Sequence, residues 1–261
     1  MSLQVILPNT VEPVSTAEAE RQARIDVTDT DTPRRIASAR RQVETQTWRS
    51  LLLQTFEERC DGFPARIRPQ RSPLRSVVSI QYLDTAGTLQ TLSSSLYDVF
   101  AQDEPGCIEP AYGQVWPSTY AVRNAVRVQY RAGHALPFTA DATTDVLSAA
   151  GHWFADGDAV HVWTSGGTIP TGLSQGWYYA RDVTAAVSLK LAATSGGAAV
   201  DITAAGTTPN FLGELPPDLR DAMLLIFSEL SLQRENSITG TIQSRTLLAA
   251  DDLCRPWKVH Y

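Results

Sequence analysis

The residue types able to do chemistry are few in this chain and badly spaced for it. His134, His152, His161 and His260 never fall at the short intervals that put two ligands on one metal ion, and Cys60, Cys107 and Cys254 form no C-x-x-C pair. A metal site is therefore not expected. The stretches GTIPTGLSQG and TSGGAAV carry glycines without the lysine and the strand-to-helix setting of a phosphate-cradling loop, so both read as turns. There is no G-x-S-x-G elbow, and no carboxylate pair whose separation argues for glycoside hydrolysis. Neither an enzymatic activity nor a cofactor is expected.

What remains is the chemistry of recognition. The segment DDLCRPWKVHY sets Trp257 and Tyr261 beside Arg255 and Lys258, with Pro256 to stop a helix. Aromatic plus arginine is the composition of an interface hot spot, yet a terminal Trp can equally fold back on its own core. A second concentration lies between residues 33 and 75, where ten arginines stand against four carboxylates. Arginine's planar fork suits fixed contacts with carboxylate or phosphate. This stretch is read as a solvated or subunit-contacting face, with a DNA-facing surface as the alternative. The whole chain carries a net charge of −6, which argues against a nucleic-acid binder working through bulk basicity.

These residues must be positioned by a chain of 261 residues, 43% apolar and 19% charged, the composition of a globular protein able to bury a core. Three scattered cysteines suit reduced thiols in a cytosolic product. No apolar run approaches a membrane span, and MSLQVILPNTVEPV lacks the regions of a signal peptide, so secretion by that route is not expected. In VSTAEAERQARI, Ser15 and Glu18 form a capping-box pattern opening a helix. A second helix follows with Thr32 as N-cap and Pro33 at its first position. Its apolar stripe is thin, Ile36, Ala39 and Val43, and it is ringed by Arg34, Arg35, Arg40 and Arg41.

From about Leu51 to Arg131 the period changes to two. LLLQTFEERC, SVVSIQYLD, TLQTLSSSLYDVF and NAVRVQYRAG read as strands of an antiparallel sheet, with DTAG as a hairpin turn. Tyr112 and Trp116 read as core or loop anchors. Residues 137–212 contain no Glu and only Arg181 and Lys190 as strong bases, with many Gly, Thr and Ala. They read as a small all-β module with strands at Val160–Thr164, Trp177–Arg181, Val187–Leu191 and Val200–Thr203. Its Trp153, Trp163, Trp177, Tyr178 and Tyr179 fit either the module's core or a recognition surface. Helix returns at LPPDLRDAMLLIFSELSLQREN, apolar nearly all round, and again at SRTLLAADDLC.

Taken in order, several blocks resemble the head-tail connector (adaptor or head-completion) proteins of long-tailed phages and gene transfer agents. PVSTAEAERQARID is similar to that family's first-helix signature, and IRPQRSPLRSVVSIQYLDTAGTLQTLSSSLYDV to its loop, strand, turn and strand. IEPAYGQVWPSTYAVRNAVRVQYRAG is similar to its "RP-x-x-G-x-x-WP" block, and LPPDLRDAMLLIFSEL and LLAADDLCRPWKVHY to its late helix and tail. The arginine-rich second helix and the β module depart from the family pattern. GHWFADGDAVHV and GWYYARDV resemble a small β-barrel module inserted in phage virion proteins.

The resemblance implies an α+β fold: a helical adaptor domain with an antiparallel sheet, from residues 1–136 and 213–261, plus an inserted all-β module at 137–212. It implies a structural virion protein made in the host cytoplasm and placed in the neck between capsid and tail. Such a protein forms a homo-oligomeric ring, about twelvefold, between the portal protein and a tail-side neck or stopper protein. Double-stranded DNA would pass through it during genome packaging and DNA ejection without sequence-specific binding, and no membrane would be involved. The tail at 252–261 would dock on the portal through Leu253, Arg255, Pro256, Trp257, Lys258, Val259 and Tyr261. Arg34, Arg35, Arg40 and Arg41 would lie at the subunit interface. The alternative is a binding module whose β insertion recognises a glycan or a decoration partner on the particle exterior.

Overall fold

The computed structural model of the protein describes residues 2–25, 30–232 and 247–260. Its contacts divide into two compact units, one built from residues 1–9, 48–133 and 259–261, the other from 10–47 and 134–258. Strand outweighs helix, 35% against 22%, and the described residues hold only four α-helices. This overturns the expectation of an α+β fold with a helical adaptor domain: the chain is mostly β. The helices foreseen at both ends form within the described residues, while 233–236 and 244–246 of the two late ones lie outside them. The balance shifts because short segments without a clear period, such as Ser2–Leu7 and Asn210–Leu212, pair as strands with partners distant in sequence.

In the first unit the strands are β1 (Ser2–Leu7), β2 (Gln54–Cys60), β3 (Leu74–Leu83), β4 (Leu89–Thr91), β5 (Tyr97–Phe100), β6 (Cys107–Pro110) and β7 (Val126–Ala132). Five of them form an antiparallel sheet in the order β1-β2-β7-β3-β4, and β5 pairs with β6 separately. Strand β7 sits at the centre, and its alternation is strict: Val126, Val128, Tyr130 and Ala132 are buried, with the residues between them half-buried. That period of two sends one set of side chains into the core with Phe56, Ile67, Leu74, Ile80 and Ile108. Phe56 and Tyr130 are directly paired across β2 and β7 and stack with ring centroids 5.6 Å apart. The Tyr130 hydroxyl accepts the Arg71 backbone N–H at 3.2 Å, so the buried phenol is satisfied. Just past β7 the chain runs against Leu52 and Leu53. A Cβ on Gly133 would come within 2.5 Å of the Leu53 backbone, which only glycine avoids.

The second unit opens with α1 (Thr16–Ala23) and α2 (Thr32–Thr47). Ser15 caps α1, its Oγ accepting the Glu18 N–H at 3.1 Å. The Glu18 carboxylate does not complete the capping box but instead accepts from Arg220 at 2.7 Å. Next come β8 (Leu136–Asp141), β9 (Val146–Ser148), β10 (Ala159–Thr164), β11 (Gly176–Thr184), β12 (Ser188–Ala192) and β13 (Asn210–Leu212), which close into a barrel in the order β10-β11-β12-β9-β8-β13. Alternate residues fill it, including Val160, Val162, Ala180, Leu189, Leu191, Leu147, Leu136 and Leu212. The expected strand at Val200–Thr203 is instead irregular extended chain. Its amides are satisfied one by one, Val200 by the Leu191 carbonyl, Ile202 by the Asp145 carboxylate and Thr203 by the Thr171 carbonyl.

Helices α3 (Pro217–Leu232) and α4 (Leu247–Cys254) finish the unit, and an Arg255–Trp257 3₁₀ turn extends α4. Helix α3 buries Leu219, Ala222, Met223, Leu224, Ile226 and Phe227 but leaves Leu225, Leu230 and Leu232 exposed, so its wide apolar belt is only partly covered.

Candidate interaction surfaces

The arginine-rich helix α2 resolves into two kinds of position. Its apolar stripe Ile36, Ala39, Val43 is fully buried, and the polar residues flanking that stripe go in with it. Arg40 is held between Glu12 at 2.7 Å and Glu44 at 2.8 Å. Burial opposes its charge, but Glu44 and Glu12 more than offset this, and its pKa lies above the ordinary arginine value. Arg35 is also buried and reaches Asp31 at 3.5 Å. Arg34 and Arg41 are exposed, Arg34 paired with Asp31 at 3.2 Å. The four arginines therefore do not form one surface: Arg35 and Arg40 are buried side chains and Arg34 and Arg41 face outward.

The same sorting applies further along. In the first unit Arg49 is buried and meets Glu104 at 3.0 Å, and Arg71 lies over the Trp48 ring at 5.5 Å. The Arg75 Nε donates to the Gly133 carbonyl, and burial pushes that guanidinium down to about 10. Arg66 and Arg68 remain exposed, Arg66 with Glu109 at 2.9 Å. A stretch that reads as a basic run is largely spent inside the fold, which removes most of what a DNA-facing surface would need.

Residues 253–258 of the C-terminal segment belong to the second unit. Trp257 is half-buried; its indole N–H donates to the Asp218 carboxylate at 3.2 Å, and its ring stands edge-on to His134 with centroids 6.2 Å apart. Asp218 lies in the first turn of α3, so this bond ties the tail to that helix. Arg255, Pro256 and Lys258 are exposed, Arg255 pairing with Asp252 at 2.6 Å, while Leu253 is half-buried. Val259 is buried. Tyr261 lies outside the described residues.

The long loop between β6 and β7 carries the AYGQVWPST stretch, and it contains the most exposed apolar side chains. Tyr112 is 102% and Val115 85% exposed, with Tyr120 and Val122 also open to solvent. The loop is nevertheless pinned at its centre. Trp116 stacks on Phe63 at 4.9 Å with an interplanar angle of 8°, and Asp61 accepts the Asn124 N–H at 2.9 Å. Trp116 is thus the anchor the sequence suggests, and Tyr112 is not: it stands at a tip with nothing to pack on.

The groups that could do chemistry are arranged for structure. Burial pushes the Cys60 and Cys254 thiols up to about 11, so at neutral pH both are protonated and poor nucleophiles. His152 is buried rather than at the surface as its place beside a turn suggests; one ring nitrogen meets the Thr184 carbonyl at 3.0 Å and the ring stacks near Phe154. Among the described residues no group of three His, Cys, Asp or Glu could hold a metal ion, and no helix is long and apolar enough to cross a membrane.

No protein-family model matches the chain, and no curated protein does. Solved structures do. A chain of the neck of an empty gene transfer agent particle, computed with C6 symmetry, superposes with a TM-score of 0.53 at 14% identity, over 100% of this chain and 97% of that one. A chain of the virion of a native gene transfer agent particle gives 0.53 at 13% identity with the same coverage. A chain of the neck of the native particle, computed with C12 symmetry, gives 0.52 at 13% identity, again over 100% and 97%. The likeness is one of fold, and it runs through both units and the barrel.

Proposed function

We propose that this chain is a structural protein of the neck of a virion or virion-like particle, a ring-forming connector that joins the portal to the component on its tail side. The observation that carries this reading is the end-to-end match of fold with neck chains, 100% of this chain against 97% of theirs, barrel included. Chance likeness of one common domain would leave one unit unmatched. The resemblance found in the sequence blocks points the same way by an independent route.

A ring of identical chains needs a heterologous contact, two different patches of one surface meeting around a closed circle. The exposed tip of the β6–β7 loop, Tyr112 and Val115, supplies an apolar patch of the required kind. Arg34 and Arg41 are the α2 arginines exposed toward a neighbour, Arg34 while paired with Asp31, whereas Arg35 and Arg40 stabilise the fold. About twelve copies would surround a channel through which double-stranded DNA passes without sequence-specific binding, the net negative charge of the chain favouring sliding over sticking. The tail would present Arg255, Pro256 and Lys258 to the portal as its outermost residues, with Trp257 behind them. Residues 137–212 would be an insertion carried by the connector.

The test is reconstitution. Purified portal rings mixed with the protein are expected to give a stoichiometric ring complex visible by cryo-electron microscopy. A protein that stays unbound at micromolar concentration, or binds portal without forming a ring, would overturn the proposal.

A further inference from the structure

On the outside of the barrel, where β10 meets the start of α3, the second unit contains a cleft of about 190 Å³. It is lined by His161, Trp163, Gln175, Leu215, Arg220 and Asp221. One wall is built rather than accidental. Trp163 is buried and stacks on Phe211 at 4.3 Å, its indole N–H donates to the Gly213 carbonyl at 2.8 Å, and the Arg220 guanidinium lies over its ring at 5.9 Å.

The polar groups around this wall are not used up. Asp221 is exposed, and no hydrogen bond or ion pair within the described residues engages its carboxylate; the same holds for the Gln175 amide. His161 Nδ1 and Arg220 Nε are both buried without a hydrogen-bond partner. Native proteins rarely leave such atoms idle, and each one calls for a ligand or water. Burial holds the His161 pKa below its usual value, so the ring is neutral at pH 7 and can accept as well as donate. Beside the cleft, Trp177 is the direct cross-strand partner of His161, its ring 5.1 Å from the imidazole and the residue 55% exposed. An indole left this open is a stacking platform without an occupant.

We infer that this cleft binds a single sugar ring, the hydroxyls bonded by Asp221, Gln175 and the idle nitrogens of His161 and Arg220, and one apolar ring face laid on Trp177. Size and charge both select this ligand class. The cleft is smaller than the ~300–1,000 Å³ that takes drug-sized ligands. An anion is disfavoured because the Arg220 charge is already neutralised by Glu18 at 2.7 Å while Asp221 adds a negative one. Closely spaced donors and acceptors beside an open indole are what a polyol with an apolar face requires. The site is independent of the neck reading, and either can fail alone.

The test is saturation-transfer NMR on the full chain with D-glucose, D-galactose, D-mannose, L-rhamnose and N-acetyl-D-glucosamine as separate probes. At least one is expected to bind with a Kd on the order of 1 mM, as befits so few atoms. Trp177→Ala, Gln175→Ala and Asp221→Asn replace exposed side chains and should leave the melting temperature unchanged. Asp221→Asn should weaken binding at least about tenfold, the loss expected for a hydrogen bond to a charged acceptor. Absence of transfer from every probe would overturn the inference, and so would transfer that survives all three substitutions. If no sugar binds and the variants instead impair assembly with portal, the cleft is a protein contact and the inference is equally wrong.

Discussion

Leu136 and Leu212 are direct partners in the antiparallel pairing of β8 with β13, so the chain enters the barrel and leaves it side by side. Paired Cα atoms in such a ladder are ~5 Å apart, a gap that a short Gly/Ser bridge spans easily. Replacing residues 137–211 with such a bridge is expected to leave a protein that still folds and still binds portal. It should melt at a lower temperature, because Ser165 no longer bonds the Glu12 carbonyl and Trp163 no longer covers Arg220. Circular dichroism and portal pull-down check this; an excised chain that cannot fold would show the barrel to be part of a common core.

Arg40 sits between the carboxylates of Glu44 and Glu12, and removing it takes the cation away from both while Glu44 stays buried. Arg40→Ala is expected to cost about 3–5 kcal/mol of stability, measured by urea denaturation. Arg34→Ala and Arg41→Ala, at exposed positions, should each stay within about 0.5 kcal/mol of the native protein. If α2 faces a neighbouring subunit, those two changes should still weaken ring assembly on portal, which separates the outward arginines from the inward ones.

How much of this was legible in the sequence depends on how local the cause is. Ser15 as a cap, the alternation of Val126, Val128, Tyr130 and Ala132, and the Gly-rich turns of the barrel are set by neighbours within a few residues, and the pattern displays them. Strand β1 is exposed along nearly its whole length and carries no alternation; only its pairing with β2, fifty residues on, makes it a strand, as the short β13 depends on the distant β8 and β10. The underestimate of β structure has that origin. Side-chain destinations were hidden for the same reason: nothing near Arg40 in sequence announces Glu12 as its partner, and nothing near Trp257 announces Asp218. The cleft beside Trp163 could not be read at all, since α3 brings Arg220 and Asp221 there from more than fifty residues away. The cluster of aromatics in the module was the one visible hint, and the structure splits it into a buried Trp163 and an open Trp177.

Glu58 is buried in the first unit with its Oε2 accepting the Gln70 N–H at 3.1 Å and its Oε1 without a partner. Burial raises its pKa above the ordinary 4.5, the Gln70 bond opposing this. The native state thus holds this proton more tightly than the unfolded chain does. The carboxylate destabilises the fold above the raised pKa, and the penalty disappears as the pH falls below the unfolded value. Glu58→Gln is therefore expected to raise the melting temperature at pH 7 and to lose that advantage below pH ~4.5, the ordinary value. A melting temperature unchanged at pH 7 would show the carboxyl to be better solvated than its burial implies.

Trp116 and Tyr112 occupy one loop but should respond in opposite ways. Trp116→Ala removes the stack on Phe63 and should destabilise the first unit by about 3 kcal/mol, with the loop becoming sensitive to limited proteolysis. Tyr112→Ser together with Val115→Ser removes only exposed side chains and should leave melting unchanged while weakening self-association. Native mass spectrometry of the portal-bound ring, counting copies, distinguishes the two.

The bond from Trp257 to the Asp218 carboxylate is an exposed one, so a single substitution can remove this part of the tail's intramolecular seat while the edge-on contact with His134 stays. If the tail docks on portal, it either serves where it lies or is drawn out, and two substitutions tell these apart. Asp218→Ala loosens the seat without touching the tail; it should strengthen portal binding if the tail must leave, and leave it unchanged if the folded tail is the docking surface. Arg255→Ala with Lys258→Ala removes the exposed charges at little cost to the fold and should weaken portal binding in either case, by roughly 2 kcal/mol or about thirtyfold per subunit if they act as hot spots. Surface plasmon resonance on immobilised portal measures both. Wild-type affinity in the Arg255 and Lys258 double variant, with its melting temperature intact, would move the portal contact away from this segment altogether.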